Sequence, residues 1–324
     1  MPAAADVDAL VAAALRGERR GIARLLTVVE HTDGAGPDAR RAADLLAAHA
    51  GSARVVGLTG PPGVGKSTST SALVTALRAR GQRVAVLAVD PSSPFSGGAL
   101  LGDRIRMGEH ASDDGVYIRS LASRGRLGGL AAAIPQSVRV LDAAGFDVVL
   151  VETVGVGQAE VEIASLADTV VVLLAPGLGD GVQAAKAGIL EVADVYVVNK
   201  ADREGAETVA RELRQVLAMA RDPDPEVWRP PIVKTVASEG RGVEEVLAAL
   251  DAHHDHLTAG DGSGLARRRT SRAAVEVEAL VLDAVHARVA AARGPAGLTA
   301  LAADVAAGVR SPFAAADRLL ADLG

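Results

Sequence analysis

Residues 60–67 read Gly-Pro-Pro-Gly-Val-Gly-Lys-Ser. That spacing turns main-chain N–H groups inward around phosphate oxygens. Gly60, Gly63 and Gly65 let the backbone bend without side chains in the cradle, with Pro61, Pro62 and Val64 between them. Lys66 reaches the β- and γ-phosphates, and Ser67, followed by Thr68, offers a hydroxyl to Mg²⁺. Residues 199–202 read Asn-Lys-Ala-Asp. Asp202 can accept from both N1–H and the exocyclic amine of guanine, whereas adenine offers an unprotonated N1 and no 2-amino group. Lys200 packs its stem along the base, and Ala237, in the turn after the next strand, can give its N–H to guanine O6. The two strings predict a site for GTP and GDP.

Thirty arginines stand against four lysines, at 66, 186, 200 and 234, and two of the four occupy these motifs. An ammonium on a flexible stem cannot be replaced by a planar guanidinium in a tight phosphate cradle. Carboxylates sit at the matching strand ends. Asp147-Val148-Val149-Leu150-Val151-Glu152 places Glu152 where a Mg²⁺-organising acid belongs, and its extra methylene relative to Asp favours contact through water. Asp90 closes another apolar strand, and Asp103 lies in a glycine-bearing segment beyond it; both are candidates for Mg²⁺ ligation or water positioning. Gly155 stands where a backbone N–H senses the γ-phosphate, so residues 153–160 are expected to move when phosphate leaves. Asp180, Gln183 and Lys186 share a helix face that suits either nucleotide coupling or a surface ion-pair cluster. His253, His254 and His256 fall on different helix faces, a poor pattern for a metal.

The elements that must position these groups alternate. Strands are expected near 55–59, 84–89, 148–152, 169–174, 195–199 and 232–236, and helices near 67–80, 124–144, 182–191, 203–219 and 243–256. Such alternation predicts an α/β fold, a mostly parallel sheet covered by helices on both faces, as in P-loop NTPases. Helical extensions flank it. The expected divisions are an N-terminal helical extension (1–50), a GTPase core (51–257), and a linker with a C-terminal helical arm (258–324). Val275, Leu280, Leu282, Val285 and Val289 give that arm an apolar face, to be covered by another subunit or by its own domain.

Composition excludes several classes. Net charge is −6 and the arginines are scattered, so no basic stripe exists for nucleic acid. With no cysteine, disulfides, thiolate metal sites and thiol nucleophiles are all absent. No apolar run is long enough for a bilayer, and residues 1–15 lack a basic, then apolar, leader pattern, so a cytoplasmic protein is expected.

Three strings, Val89-Asp90-Pro91-Ser92-Ser93, Gly102-Asp103-Arg104-Ile105-Arg106-Met107 and Glu152-Thr153-Val154-Gly155-Val156-Gly157-Gln158, join the two nucleotide motifs in an order that closely resembles the MeaB/ArgK family of P-loop GTPases. The resemblance covers residues 8 to 257 well and the arm loosely. It implies slow Mg²⁺-dependent GTP hydrolysis and a homodimer whose C-terminal arms embrace. It also implies gated loading of adenosylcobalamin onto a partner acyl-CoA mutase, chiefly methylmalonyl-CoA mutase. By the same resemblance Asp90, Asp103 and Glu152 arrange Mg²⁺ and the attacking water, so Lys66, Asp103 and Glu152 are the expected catalytic set. The cobalamin belongs to the partner, because no Asp-x-His-x-x-Gly string occurs; Asp251–His256 lacks the glycine. No glutamine follows Gly155 directly, which agrees with slow intrinsic turnover. Three other readings stay open: a nickel-insertion metallochaperone GTPase, a kinase or ATPase linked to basic-amino-acid transport, and a switch that binds GTP without useful hydrolysis.

Overall fold

A computed structural model of the chain describes residues 6–31, 36–90, 108–110, 112–122, 133–153, 163–177, 189–219, 224, 227–291 and 297–323. Runs of Val and Leu make strands β1 (Arg54–Thr59), β2 (Val84–Asp90), β3 (Val116–Ala122), β4 (Val148–Glu152), β5 (Thr169–Leu174), β6 (Val195–Val198) and β7 (Ile232–Lys234). They form one sheet in the order β3-β2-β4-β1-β5-β6-β7, with parallel pairing throughout. Chain order reverses at β1, which lies between β4 and β5. A crevice opens at the C-terminal strand ends of such a switch point.

Alternate residues of each strand feed two different cores. On one face Val55, Leu87, Val149, Val151, Val170 and Val172 belong to a core shared with the N-terminal helices α1 (Val7–Leu15), α2 (Arg19–His31) and α3 (Pro37–Leu46). On the other, Val56, Leu58, Val86, Leu150 and Val171 meet Leu73, Val74 and Leu77 of helix α4 (Lys66–Ala79). The remaining helices are α5 (Ala133–Ala143), α6 (Ala206–Met219), α7 (Val243–Thr258), α8 (Ser263–Ala291), α9 (Leu298–Ala306) and α10 (Pro312–Leu323). Helix α5 adds Ile134, Val138 and Leu141 to the first core; α7 adds Val243, Val246 and Leu250 to the second. Among the described residues no helix is long and apolar enough to cross a membrane.

The α/β architecture agrees with the sequence reading, and three details depart from it. Strand β3 was not expected. It is an edge strand whose pattern is broken by Arg119, and that side chain is satisfied by Glu30 and Thr27 of α2, about ninety residues away. The expected helix 182–191 lies largely outside the described residues, and Ile189–Val192 forms a single 3-10 turn. The glycine-rich stretch read as a linker is a tight turn between α7 and α8, in which Asp261 Oδ1 accepts the Ser263 N–H at 2.9 Å.

The chain divides into two compact units, residues 1–272 and 273–324. In the second, Leu301, Ala315 and Leu319 form a small core with Val289, Leu298 and Val305.

Candidate nucleotide site

Strand β1 ends at Thr59 and the chain turns at Gly60, whose φ is 142°. A Cβ there would fall 2.2 Å from Leu173 O, so the turn admits only glycine. Gly65 has φ 96°, and its Cβ would meet Asn199 Nδ2 at 2.5 Å. Helix α4 starts at the next residue with no acidic side chain in its first turn, leaving the positive end of its dipole for an anion. Pro61, Pro62, Gly63 and Val64 complete the loop between strand and helix, and Thr68 is exposed beyond it. Buried Lys66 folds back over the loop, its Nζ donating to Gly60 O at 2.7 Å and Pro61 O at 3.1 Å. These are contacts an ammonium can exchange for phosphate oxygens.

Glu152, 3% exposed, stands opposite Leu58 in the β1–β4 register, beside the start of the loop. Ser67 Oγ donates to its Oε1 at 2.7 Å, and Thr70 Oγ1 to its Oε2 at 2.8 Å. The Ser67 hydroxyl is thereby tied to a buried carboxylate. An oxygen backed by a carboxylate in this way fits a hard divalent cation that keeps part of its water shell.

The segment 199–202, expected from its sequence to select the base, follows β6. Buried Asn199 donates from Nδ2 to Val64 O at 2.9 Å, while its Oδ1 accepts from Thr235 Oγ1 and from the Ala237 N–H, each at 3.1 Å. One side chain thus pins the phosphate loop to both later loops. Lys200 adopts φ 57°, the left-handed region, and its Nζ donates to Gly63 O at 2.6 Å. Its stem therefore lies over the phosphate loop. Asp202 is exposed in the following turn, open to a ligand. Ala237 lies in the 3-10 turn after β7, where its N–H donates to Asn199 Oδ1.

Asp103 and Gly155 lie outside the described residues, as do the side chain of Asp90, residues 154–160, and Asp180, Gln183 and Lys186. Thr70 and Thr235 escaped the sequence reading. The i, i+3 spacing of Ser67 and Thr70 was available as a signal, whereas Thr235 reaches Asn199 across 36 positions. A second unread cluster ties helix α4 to Gly108–His110. There Ser71 Oγ contacts Glu109 Oε1 and, at 3.0 Å, His110 Nε2. His253 is a core residue: its Nδ1 lies 2.9 Å from Thr169 Oγ1, and its ring lies 4.8 Å from that of Trp228.

At the opposite end of the sheet, three arginines at the start of α8 grip two aspartates. Arg269 and Arg272 pair with Asp168, which also accepts the Val55 N–H; Arg268 pairs with both oxygens of Asp194. Asp142 likewise gathers the N–H groups of Gly51, Ser52 and Ala53 ahead of β1.

A parallel sheet with a glycine-lined loop running into a helix, a lysine on that loop, and a polar clasp to a second loop defines a P-loop nucleotide-binding protein. Residues 22–294 match the model of the methylmalonyl Co-A mutase-associated GTPase MeaB family. The chain belongs to this family of GTPases. A Pyrococcus abyssi protein with a GTPase name is 44% identical over 319 residues, spanning 98% of this chain and 97% of its own. The GTPase ArgK of Escherichia coli is 38% identical over 247 residues, 75% of each chain. A crystal structure of an LAO/AO transport system kinase is similar with a TM-score of 0.71 and 27% identity, covering 100% of this chain and 99% of that one.

Proposed function

We propose that the chain binds GTP with Mg²⁺, hydrolyses it slowly, and uses the cycle to gate adenosylcobalamin loading onto, and protection of, an acyl-CoA mutase such as methylmalonyl-CoA mutase. Asn199 supports the nucleotide half of this reading, because it ties the phosphate loop to its own segment and to the turn after β7. The mutase half is supported by the description of the family.

In this reading the backbone of residues 60–68 holds the phosphates, and Lys66 trades its carbonyl acceptors for β- and γ-phosphate oxygens. Asp202 reads the guanine edge, Lys200 covers its face, and the Ala237 N–H is shared between Asn199 Oδ1 and guanine O6. Ser67 and Glu152, with Asp90 and Asp103, hold Mg²⁺. When bound, Mg²⁺ neutralises charge developing on the transferred phosphoryl oxygens. Asp103 and Glu152 orient water, the Gly155 N–H reports the γ-phosphate, and no covalent intermediate forms on the protein. Residues 1–50 extend the 51–257 core. The arm, 258–324, makes a homodimer, supported by the exposure of Val275, Val277, Val281, Leu282 and Val285. The protein is cytoplasmic and works without nucleic acid or membrane.

GTP and ATP turnover, each measured with and without methylmalonyl-CoA mutase, tests both halves. Preference for GTP and stimulation by the mutase are expected. Equal use of the two nucleotides removes the guanine assignment. Loss of mutase stimulation together with tight Ni²⁺ binding favours a metallochaperone instead.

A further inference from the structure

Glu152 carries one methylene more than the aspartate expected at such a strand end, and a longer side chain has an additional torsion to hold. Both its oxygens are engaged by α4: Oε1 by Ser67 and Oε2 by Thr70, three residues apart on one helix face. The Thr70 hydroxyl has one proton and two acceptors within reach, Glu152 Oε2 at 2.8 Å and Lys66 O at 3.1 Å. The charged and nearer acceptor takes it. Lys66 O is four residues before Thr70 and keeps the helical N–H. Thr70 is fully buried, so bulk water cannot stand in for its hydroxyl.

We propose that Thr70 is a positioning residue for the cation half of the nucleotide site. By holding Oε2 it fixes the carboxylate so that Oε1 stays on Ser67 and the Ser67 oxygen keeps its orientation. The inference rests on the Mg²⁺–nucleotide reading above. Thr70 touches neither nucleotide nor cation; it acts through Glu152, and so its loss changes the cation dependence of binding rather than phosphate-loop binding itself.

The test uses the full chain and a fluorescent GDP analogue, with affinity measured in EDTA and across a Mg²⁺ titration. Thr70→Val keeps the shape and removes the hydroxyl; Thr70→Ala does so without risk of overpacking; Thr70→Ser restores it. Wild type and Thr70→Ser should share one Mg²⁺ midpoint. Thr70→Val and Thr70→Ala should need about 10-fold more Mg²⁺ or beyond, as loss of groups that orient a metal ligand does elsewhere. Their affinities in EDTA should match wild type. An unshifted midpoint in whichever of the two is folded by circular dichroism overturns the proposal, as does a Thr70→Ser shift equal to that of Thr70→Val. Wild type whose GDP affinity ignores Mg²⁺ is a separate result: it removes the cation reading of the site and this role with it.

Discussion

In the proposed function Asp202 is the residue on which base choice turns. It is exposed, in the turn after Asn199 and Lys200, both of which are occupied in holding the phosphate loop. Replacing one carboxylate oxygen by an amide donor leaves the guanine 2-amino group facing another donor, while xanthine presents a carbonyl there. Asp202→Asn should therefore weaken GTP binding by about 100-fold or more and gain xanthosine triphosphate. Competition against a fluorescent GDP analogue checks both directions. Asn199→Ala should behave differently. It strips Val64 O of a buried donor and Thr235 and Ala237 of their acceptor, so it should lower unfolding stability by roughly 2–3 kcal/mol in the absence of nucleotide, read from denaturant midpoints.

Among the elements, the parts legible in the sequence were those whose signal is local. A glycine loop between an apolar strand and a helix, and acids closing strands, declare themselves within ten residues. Strand β3 does not, because Arg119 makes sense only beside Glu30 and Thr27 of α2. The root of α8 is equally hidden: Arg268 and Asp194 are 74 positions apart, Arg269 and Asp168 101. Composition alone made Thr258–Gly264 look like a loose tether to that helix. Arg269→Ala would leave Asp168, 3% exposed at its side chain, with Arg272 as its remaining arginine, and should cost about 3 kcal/mol of stability. GDP affinity should not change, since this cluster sits at the other end of the strands.

His253 adds a pH dependence to the same region. Burial lowers its pKa from 6.5 to about 4, with the Asp194 charge opposing. A histidine free in the unfolded chain titrates near 6.5, so between about pH 6.5 and 4 the unfolded state binds the extra proton. The stabilisation from keeping His253 neutral is thus complete above 6.5 and is lost as pH falls toward 4. Urea midpoints should decline over that window more steeply for wild type than for His253→Gln, and a parallel decline would remove His253 as the cause.

At the scale of the whole molecule, the second unit is thinly buried. Its core is Leu301, Ala315 and Leu319, while Val277 is 60% and Val281 56% exposed. Apolar surface of this kind on a helix is commonly covered by a partner, which in the proposed homodimer is a second copy. Val277→Asp with Val281→Asp in the full chain should shift sedimentation from dimer toward monomer while GDP affinity persists. A wild type that sediments as a monomer at every concentration would remove the dimer.

The chain has a single tryptophan, and its position decides what light can report. Trp228 donates from Nε1 to Asp194 O and makes tilted ring contacts with His253 and His256 at the foot of β6, whereas Asn199 stands at that strand's head. Asp194 and Asn199 are five residue steps apart along extended backbone, about 16 Å. Intrinsic emission should consequently stay dark to the filling of the pocket and brighten or quench with events at the α8 root, so stopped-flow work on nucleotide exchange needs a dye on the ligand.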